Sequence, residues 1–273
     1  MAMDVGARSD VGRVRGNNED SFRLAPELNL FILSDGMGGL ESGERASRMA
    51  TETVLAHCRD AEANPALAVF GKQIEGVGDA SNRLASAVRL ANQEIFSAAQ
   101  ELGGKGGMGA TVVVIRFLED RACIAHVGDS RAYLLRDGQL IQLTEDHSFV
   151  AEQIRRGILT VEEAGRSRLQ NVLTRALGVE QQVDVDVTEE LLREGDTYLL
   201  CSDGLFRDLS EAQIAALLPE ASDAQQTADR LVQQANQAGG GDNITAIVLR
   251  YAPKHAGGLG KIGRWFKSSE DAT

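Results

Sequence analysis

Apolar residues in this chain fall into short dense runs and into one clear helical repeat. Residues 22–24 and 28–33 are apolar runs split by Pro26-Glu27, the pattern of two strands joined by a hairpin. The second run stops at Ser34-Asp35-Gly36, and residues 44–57 then carry helical spacing. Residues 65–79 fit neither period. Leu84, Val88, Ala91, Ile95 and Leu102 recur on one helical face, so the spacing predicts an amphipathic helix over 81–102. A glycine-rich link at 103–109 follows. β-Branched and apolar runs at 111–117, 122–127, 131–135 and 140–143 predict strands, with Asp137-Gly138 as the turn between the last two.

The stretch 145–178 is more polar and less periodic. It carries Arg155, Arg156, Arg166, Arg168 and Arg175, and reads as an excursion of loops with one or two short helices. Strands are expected at 183–188 and 197–201, around a turn at Gly195-Asp196. Ser210 with Gln213, and Ser222 with Gln225, have capping-box spacing and open two helices. Gly239 to Gly241 ends the second helix, and 244–251 is a last strand. Hairpin-joined strands make antiparallel sheet, and the helices come in two separated pairs. The expected architecture is α+β, two sheets with helices outside, in one domain over 4–252.

Residues 253–273 differ. Lys254, Lys261, Arg264 and Lys267 outnumber Glu270 and Asp271, and the glycines around them predict a short, basic, flexible tail. Leu259, Ile262 and Trp265-Phe266 recur at roughly helical spacing, which would suit weak docking to a membrane surface or an acidic partner. The segment is too short and too rich in glycine to hold a helix alone, so a tail without a docking role is the favoured reading.

Composition narrows the function. Of 273 residues, 43% are hydrophobic and 25% charged, an ordinary globular balance. The net charge of −12 makes phosphate-backbone binding a poor candidate and divalent cations a good one. Aromatics at 4% are too few for a base-stacking platform. Cys58, Cys123 and Cys201 are far apart, odd in number and without zinc-ligand spacing, as expected of reduced thiols in a cytoplasmic protein. No run approaches a membrane span, and the N-terminal residues lack the apolar core of a signal peptide.

One chemical pattern recurs. Ser34-Asp35-Gly36 and Ser202-Asp203-Gly204 each close a strongly apolar strand; Gly128-Asp129-Ser130 closes another, and Gly241-Asp242-Asn243 opens the last one. A single aspartate of this kind is most often a turn former. If the four strands share a rim, the carboxylates converge, and only cations would keep them ionised together. An all-oxygen ligand set favours Mg²⁺ or Mn²⁺. Glu19 and Asp20 add two carboxylates just before the first strand. Arg15 is either a surface residue of a polar loop or a planar fork for a phosphate.

Other motifs fail. The run 104–109 fits G-x-G-x-x-G but follows a helix and precedes a strand, the reverse of a dinucleotide turn. Gly260-Lys261 lacks the rest of a P-loop, and no G-x-S-x-G surrounds a serine. His126, inside a strand, reads as a satisfied structural histidine; His147, after Thr144-Glu145-Asp146, reads as a helix-start residue.

Arg15-Gly-Asn-Asn-Glu19-Asp20, Asp35-Gly-Met-Gly-Gly39, Gly109-Ala-Thr111, Gly128-Asp129-Ser-Arg131, Ser202-Asp203-Gly204 and Gly241-Asp242-Asn243 occur in one order. That order resembles the metal-dependent serine/threonine protein phosphatases (type 2C, the PPM family), and most closely the bacterial single-domain members. Each motif is weak alone, and the likeness spans about 4–251. The resemblance implies a four-layer sandwich, two central antiparallel sheets flanked by pairs of antiparallel helices, with a binuclear Mn²⁺ or Mg²⁺ centre at one edge. It implies that Asp35 bridges both metals and the Gly36 carbonyl binds one, with Asp203 and Asp242 completing the other. Glu19 and Asp20 would act through metal-bound waters, Asp129 would bind a third, weaker metal, and Arg15 would hold the phosphate. Residues 145–178 would form a mobile flap.

The implied reaction is hydrolysis of phosphoserine and phosphothreonine in proteins by a water activated between two metals, with no phosphoenzyme. The implied partners are phosphoproteins, serine/threonine kinases and their substrates, met by a cytoplasmic monomer. Animal members often carry a histidine after the Asp-Gly pair; here that position is Met37, which cannot donate a proton. The alternatives are a phosphatase for a small regulatory partner, a pseudophosphatase that only binds phosphoproteins, and a metal-dependent phosphodiesterase, which the missing basic groove disfavours.

Overall fold

The computed structural model describes residues 2–38, 41–102 and 107–252. The basic tail, Gly39 and most of the glycine link before Gly107 lie outside them.

Two antiparallel sheets form the centre. In the first, β1 (Ala2–Asp10) pairs with β11 (Ile244–Ala252), followed by β10 (Thr197–Cys201), β7 (Arg131–Arg136) and β8 (Gln139–Gln142). In the second, the order is β2 (Asp20–Ala25), β3 (Leu30–Met37), β5 (Val112–Phe117), β6 (Arg121–Val127) and β9 (Asp186–Leu191), with a short β4 (Gly109–Ala110) on β3. The sheets face each other across a core that includes Phe31, Ile115, Leu134 and Ile247, where the Phe117 ring meets Tyr198 edge-on at 5.2 Å. Tightly interdigitated aromatic and β-branched residues of this kind fix the two sheets against each other.

Helices cover both outer faces. The first pair, α1 (Ser42–Ala63) and α2 (Asp79–Glu101), packs Val54, Val88 and Ile95 on the second sheet. In chain order, α3 (Phe149–Arg155) and α4 (Val161–Ala164) lie in the excursion. On the first sheet, α5 (Asp203–Asp208), α6 (Glu211–Leu217) and α7 (Ala224–Ala238) bury Leu205, Ile214 and Leu231. The result is the expected α+β sandwich of four layers. No helix among the described residues is long and apolar enough to cross a membrane.

The local expectations mostly hold. Asp137 and Gly138 both take positive φ, 51° and 77°, the mirror-image turn that a two-residue hairpin needs. Ser210 and Gln213 form the expected capping box. Four features differ. The N-terminal segment is a full strand, β1, whose Gly6 lies so close under the first turn of α7 that a Cβ would strike the backbone of Ala224 and Gln225. The second cap is Asp223 rather than Ser222; its carboxylate accepts the Gln226 N–H at 2.8 Å. Helix α5 was not expected. Strands β9 and β10 are not hairpin partners, because β9 pairs with β6 and β10 with β7 and β11. The link between them crosses from one sheet to the other, held where Arg136 donates to buried Asp196 at 2.8 and 2.7 Å and to Glu190 at 2.5 Å.

Candidate active site

Three strand ends and three strand beginnings meet at one rim of the sandwich. Asp20 opens β2 directly opposite Asp35 near the end of β3, so both carboxylates point to one face of the sheet. Gly128 and Asp129 bridge β6 and β7, Ser202 and Asp203 follow β10, and Asp242 and Asn243 precede β11. A cavity of about 210 Å³ opens there, lined by Glu19, Asp35, Asp129, Asp203 and Asp242, with Arg15 and Arg207 beside them. A larger cavity of about 610 Å³, between 70–75 and 181–185, has no such convergence, so volume does not locate the chemistry.

Hydroxyls and amides fix the carboxylates. Asp20 Oδ2 accepts from Ser202 Oγ at 2.7 Å and Thr245 Oγ1 at 2.6 Å, which ties the second sheet to the first. The Asp35 N–H donates to Thr111 Oγ1 at 3.0 Å, and Thr111 Oγ1 is 2.7 Å from Ser130 Oγ. One short chain of hydroxyls therefore sets the positions of Asp35 and Asp129. Asn243 is the pivot of the N-terminal loop: its Oδ1 accepts the Glu19 N–H at 2.8 Å, and its amide donates to the carbonyls of Val11 and Asn17. Gly36 and Gly204 are demanded by close approach. A Cβ at Gly36 would run into the Gly43 carbonyl, and one at Gly204 into that of Asn243.

Crowded, enclosed carboxylates resist ionisation. Burial pushes Asp20 up to about 7, with Asp203 and Asp242 adding to it and the Thr245 and Ser202 hydroxyls opposing it. Burial, then the charges of Asp20 and Asp203, holds Asp35 well above the usual carboxylate range. Asp129 is likewise pushed up to about 7 by burial and Asp203. Asp203 is raised by burial, with Arg207 working against the rise. The Oδ1 atoms of Asp20 and Asp203 are enclosed and have no hydrogen-bond partner. Unpartnered buried carboxylate oxygens are costly unless a cation meets them. The donor set, all oxygen and anionic, fits hard divalent ions, each of which needs only one or two carboxylates and fills its shell with water.

Every residue singled out in the sequence for this chemistry is at the rim: Arg15, Glu19, Asp20, Asp35, Gly36, Asp129, Asp203 and Asp242. Arg15 donates from Nη2 to Asp242 Oδ2 at 2.7 Å, at the exposed mouth. Sequence reasoning missed Arg207, whose Nη2 lies 2.5 Å from Asp203 Oδ2. Its signal was present: Arg207 stands four residues after Asp203, but only a helix brings that spacing onto one face. In the sequence Asn243, Ser202 and Thr245 are turn and strand residues, and only the fold brings out the supporting bonds they make. The excursion contributes Asn171 and Leu173 to the wall.

His126 and His147 stack at 4.7 Å, and with Asp186 they bring three ligand-type atoms within 4.8 Å of one another. Each is already committed. His126 Nε2 meets the Glu145 carbonyl at 2.9 Å, and His147 Nδ1 accepts the Gly128 N–H at 3.0 Å. The Arg175 guanidinium sits 2.6 Å from Asp186 Oδ1, so a cation already fills that corner. Both histidines are structural, and His147 directly precedes Ser148, the cap of α3.

The protein phosphatase 2C family matches this chain over residues 13–245. The serine/threonine protein phosphatase PstP of Mycobacterium tuberculosis is 38% identical over 250 residues, which is 91% of this chain and 45% of PstP. The chain thus spans about half the length of that relative. The serine/threonine phosphatase Stp of Listeria innocua is 37% identical over 245 residues, 89% of this chain and 93% of Stp. A crystal structure of the PstP catalytic domain in complex with two manganese ions superposes with a TM-score of 0.77 at 37% identity, covering 92% of this chain and 99% of that one. With the fold, the rim of carboxylates and these likenesses in agreement, the chain belongs to the protein phosphatase 2C (PPM) family of metal-dependent serine/threonine phosphatases.

Proposed function

We propose that this chain removes phosphate from phosphoserine and phosphothreonine in proteins, opposing a bacterial serine/threonine kinase. The observation that carries the reading is the ring of Glu19, Asp35, Asp129, Asp203 and Asp242 around one cavity, with Asp20 opposite Asp35 and enclosed, unpartnered oxygens on Asp20 and Asp203. In this reading Asp35 and the Gly36 carbonyl, with Asp203 and Asp242, hold divalent ions, Mn²⁺ or Mg²⁺, while Glu19 and Asp20 act through water. Bound there, such ions supply an activated water and offset the charge on the phosphoryl oxygens.

The rest falls to the chain. Arg15, at the mouth beside Asp242, binds the phosphate dianion through its planar fork. Ser202 and Thr245 orient Asp20 and leave its other oxygen free. Thr111 is the sole hydroxyl among the described residues lining the cavity, and it is committed to the Asp35 N–H and Ser130, which disfavours a phosphorylated-hydroxyl intermediate. No histidine lines the cavity among these residues, so the proton for the leaving serine does not come from imidazole. The segment 145–178 serves as a flap over one wall. Its exposed Ile158, Val161, Leu169 and Val172 suit a protein surface better than a small metabolite. The reading takes the enzyme as a cytoplasmic monomer; Cys58, Cys123 and Cys201, buried and unpaired, accord with a reducing compartment.

The test is hydrolysis of a phosphothreonine peptide and of a dinucleotide diester, each with Mn²⁺ and with chelator. Turnover of the peptide alone, abolished by chelator, is expected. Peptide turnover that survives chelation, or preference for the diester, would overturn the assignment.

A further inference from the structure

Arg207 has no task in the reaction as described. It lies four residues after Asp203 in α5, so its guanidinium turns back over the end of β10. Nη2 is 2.5 Å from Asp203 Oδ2 and 3.7 Å from Asp129 Oδ2, and Nη1 is 4.0 Å from Asp242 Oδ2. Carboxylates from three separate turns therefore face one fixed positive charge. The side chain is only 26% exposed, while those of Asp129 and Asp203 are 8% and 10% exposed.

A divalent ion on Asp129 would have to share this corner with the guanidinium. The Oδ2 atoms of Asp129 and Asp203 both face Arg207, while Asp203 Oδ1 is enclosed, unpartnered and free for the two-ion core. A further ion drawing on the Oδ2 pair and the guanidinium would repel each other across a few ångströms with little water between them. The family resemblance had placed a third, weaker metal at Asp129; the residues around Asp129 do not fit one. We propose that Arg207 stands in place of that third ion, as the permanent counter-cation of Asp129 and Asp203, and that the site fills with two divalent ions only. This deepens the phosphatase reading and rests on it.

Mn²⁺ stoichiometry decides the matter without any activity assay. Purified wild type, Asp129→Asn, Arg207→Gln, Arg207→Lys and the Arg207→Gln/Asp129→Asn double variant are titrated with Mn²⁺ by calorimetry, with thermal unfolding as the fold check. Wild type, Asp129→Asn and Arg207→Lys should each bind two ions. Arg207→Gln should gain a third, weaker step, and the double variant should lose it again. Three ions in wild type, falling to two in Asp129→Asn, would overturn the inference while leaving the phosphatase site intact. A folded Arg207→Gln that still binds only two would also overturn it. No Mn²⁺ binding by wild type would instead sink the phosphatase reading. Should Arg207→Gln not fold, the wild-type and Asp129→Asn pair decides alone.

Discussion

Asp20 and Asp35 face each other across the β2–β3 ladder, two acids in a position where like charges destabilise a sheet. Both prefer their protons in the folded protein, Asp20 with a pKa of about 7 against an ordinary value of 3.8. Such groups cost the fold nothing below their unfolded pKa and destabilise it as the pH climbs through the folded one. With chelator present, wild type should therefore lose stability from about pH 4 to about pH 7, the span between the unfolded and folded values of Asp20. Asp35→Asn, with one like charge fewer, should lose less and unfold at a higher temperature than wild type at the alkaline end. Mn²⁺ should reverse the order by stabilising wild type alone. Parallel thermal melts with and without Mn²⁺ check both halves; identical pH slopes for the two proteins would count against the coupling.

Asp203→Asn keeps the size of the side chain and leaves α5 room to form. The expected protein is folded, binds Mn²⁺ weakly and has lost most of its turnover of phosphopeptide. Metal content by elemental analysis, set beside the kinetics, is the measurement. Full occupancy with near-normal turnover would remove Asp203 from the ligand set.

Arg15 is half-exposed and held by one carboxylate, so its loss should cost little stability. If it binds the phosphate of the substrate, Arg15→Ala should raise KM for phosphopeptide about tenfold to a hundredfold, the range expected of a charge-assisted hydrogen bond. Mn²⁺ affinity should be nearly unchanged. Unaltered kcat and KM would leave Arg15 as a partner of Asp242 only.

His147 supports the turn that carries Asp129. Its Nδ1 accepts the Gly128 N–H at 3.0 Å, so the ring proton lies on Nε2, toward Asp186 Oδ2 at 3.1 Å. Gly128 has φ of +104°, a region that favours glycine, and a Cβ there would strike the Thr111 side chain, so the turn depends on glycine at this position. His147→Phe keeps a flat ring but orphans the amide. A loss of about 1–3 kcal/mol is expected from the urea midpoint, together with faster exchange of the Gly128 amide. A midpoint within error of wild type would show that the bond carries no weight.

Most of the rim was legible because aspartate and glycine at the end of an apolar strand contradict strand propensity, and such contradictions gather at functional sites. What was not legible depends on tertiary placement. β1 has no continuous apolar run, because Met3, Val5 and Ala7 turn to the inter-sheet core and alternate with Asp4, Gly6 and Arg8. The 191–196 link looks like a hairpin turn, and only the Arg136–Asp196 clamp and the pairing of β9 with β6 show that it changes sheet. Arg207 is an ordinary surface arginine until α5 exists. Ser202 and Thr245 are 43 residues apart and find Asp20 only when β10 and β11 lie side by side.

The pairing of β1 with β11 joins residues more than two hundred positions apart, from Ala2 with Ala252 to Asp10 with Ile244. A ribosome releases Asp20 and Asp35 some two hundred residues before Asp242, Asn243 and Thr245, yet Asp20 is seated by Thr245 and the Glu19 loop by Asn243. Strands β2, β3, β5 and β6 can pair with one another and with α1 and α2 while the chain is still being made, but the carboxylates cannot be held in their final arrangement until β11 zips into place. The carboxylate rim therefore takes shape only once β11 has left the ribosome and paired, however much of the rest of the chain is already folded.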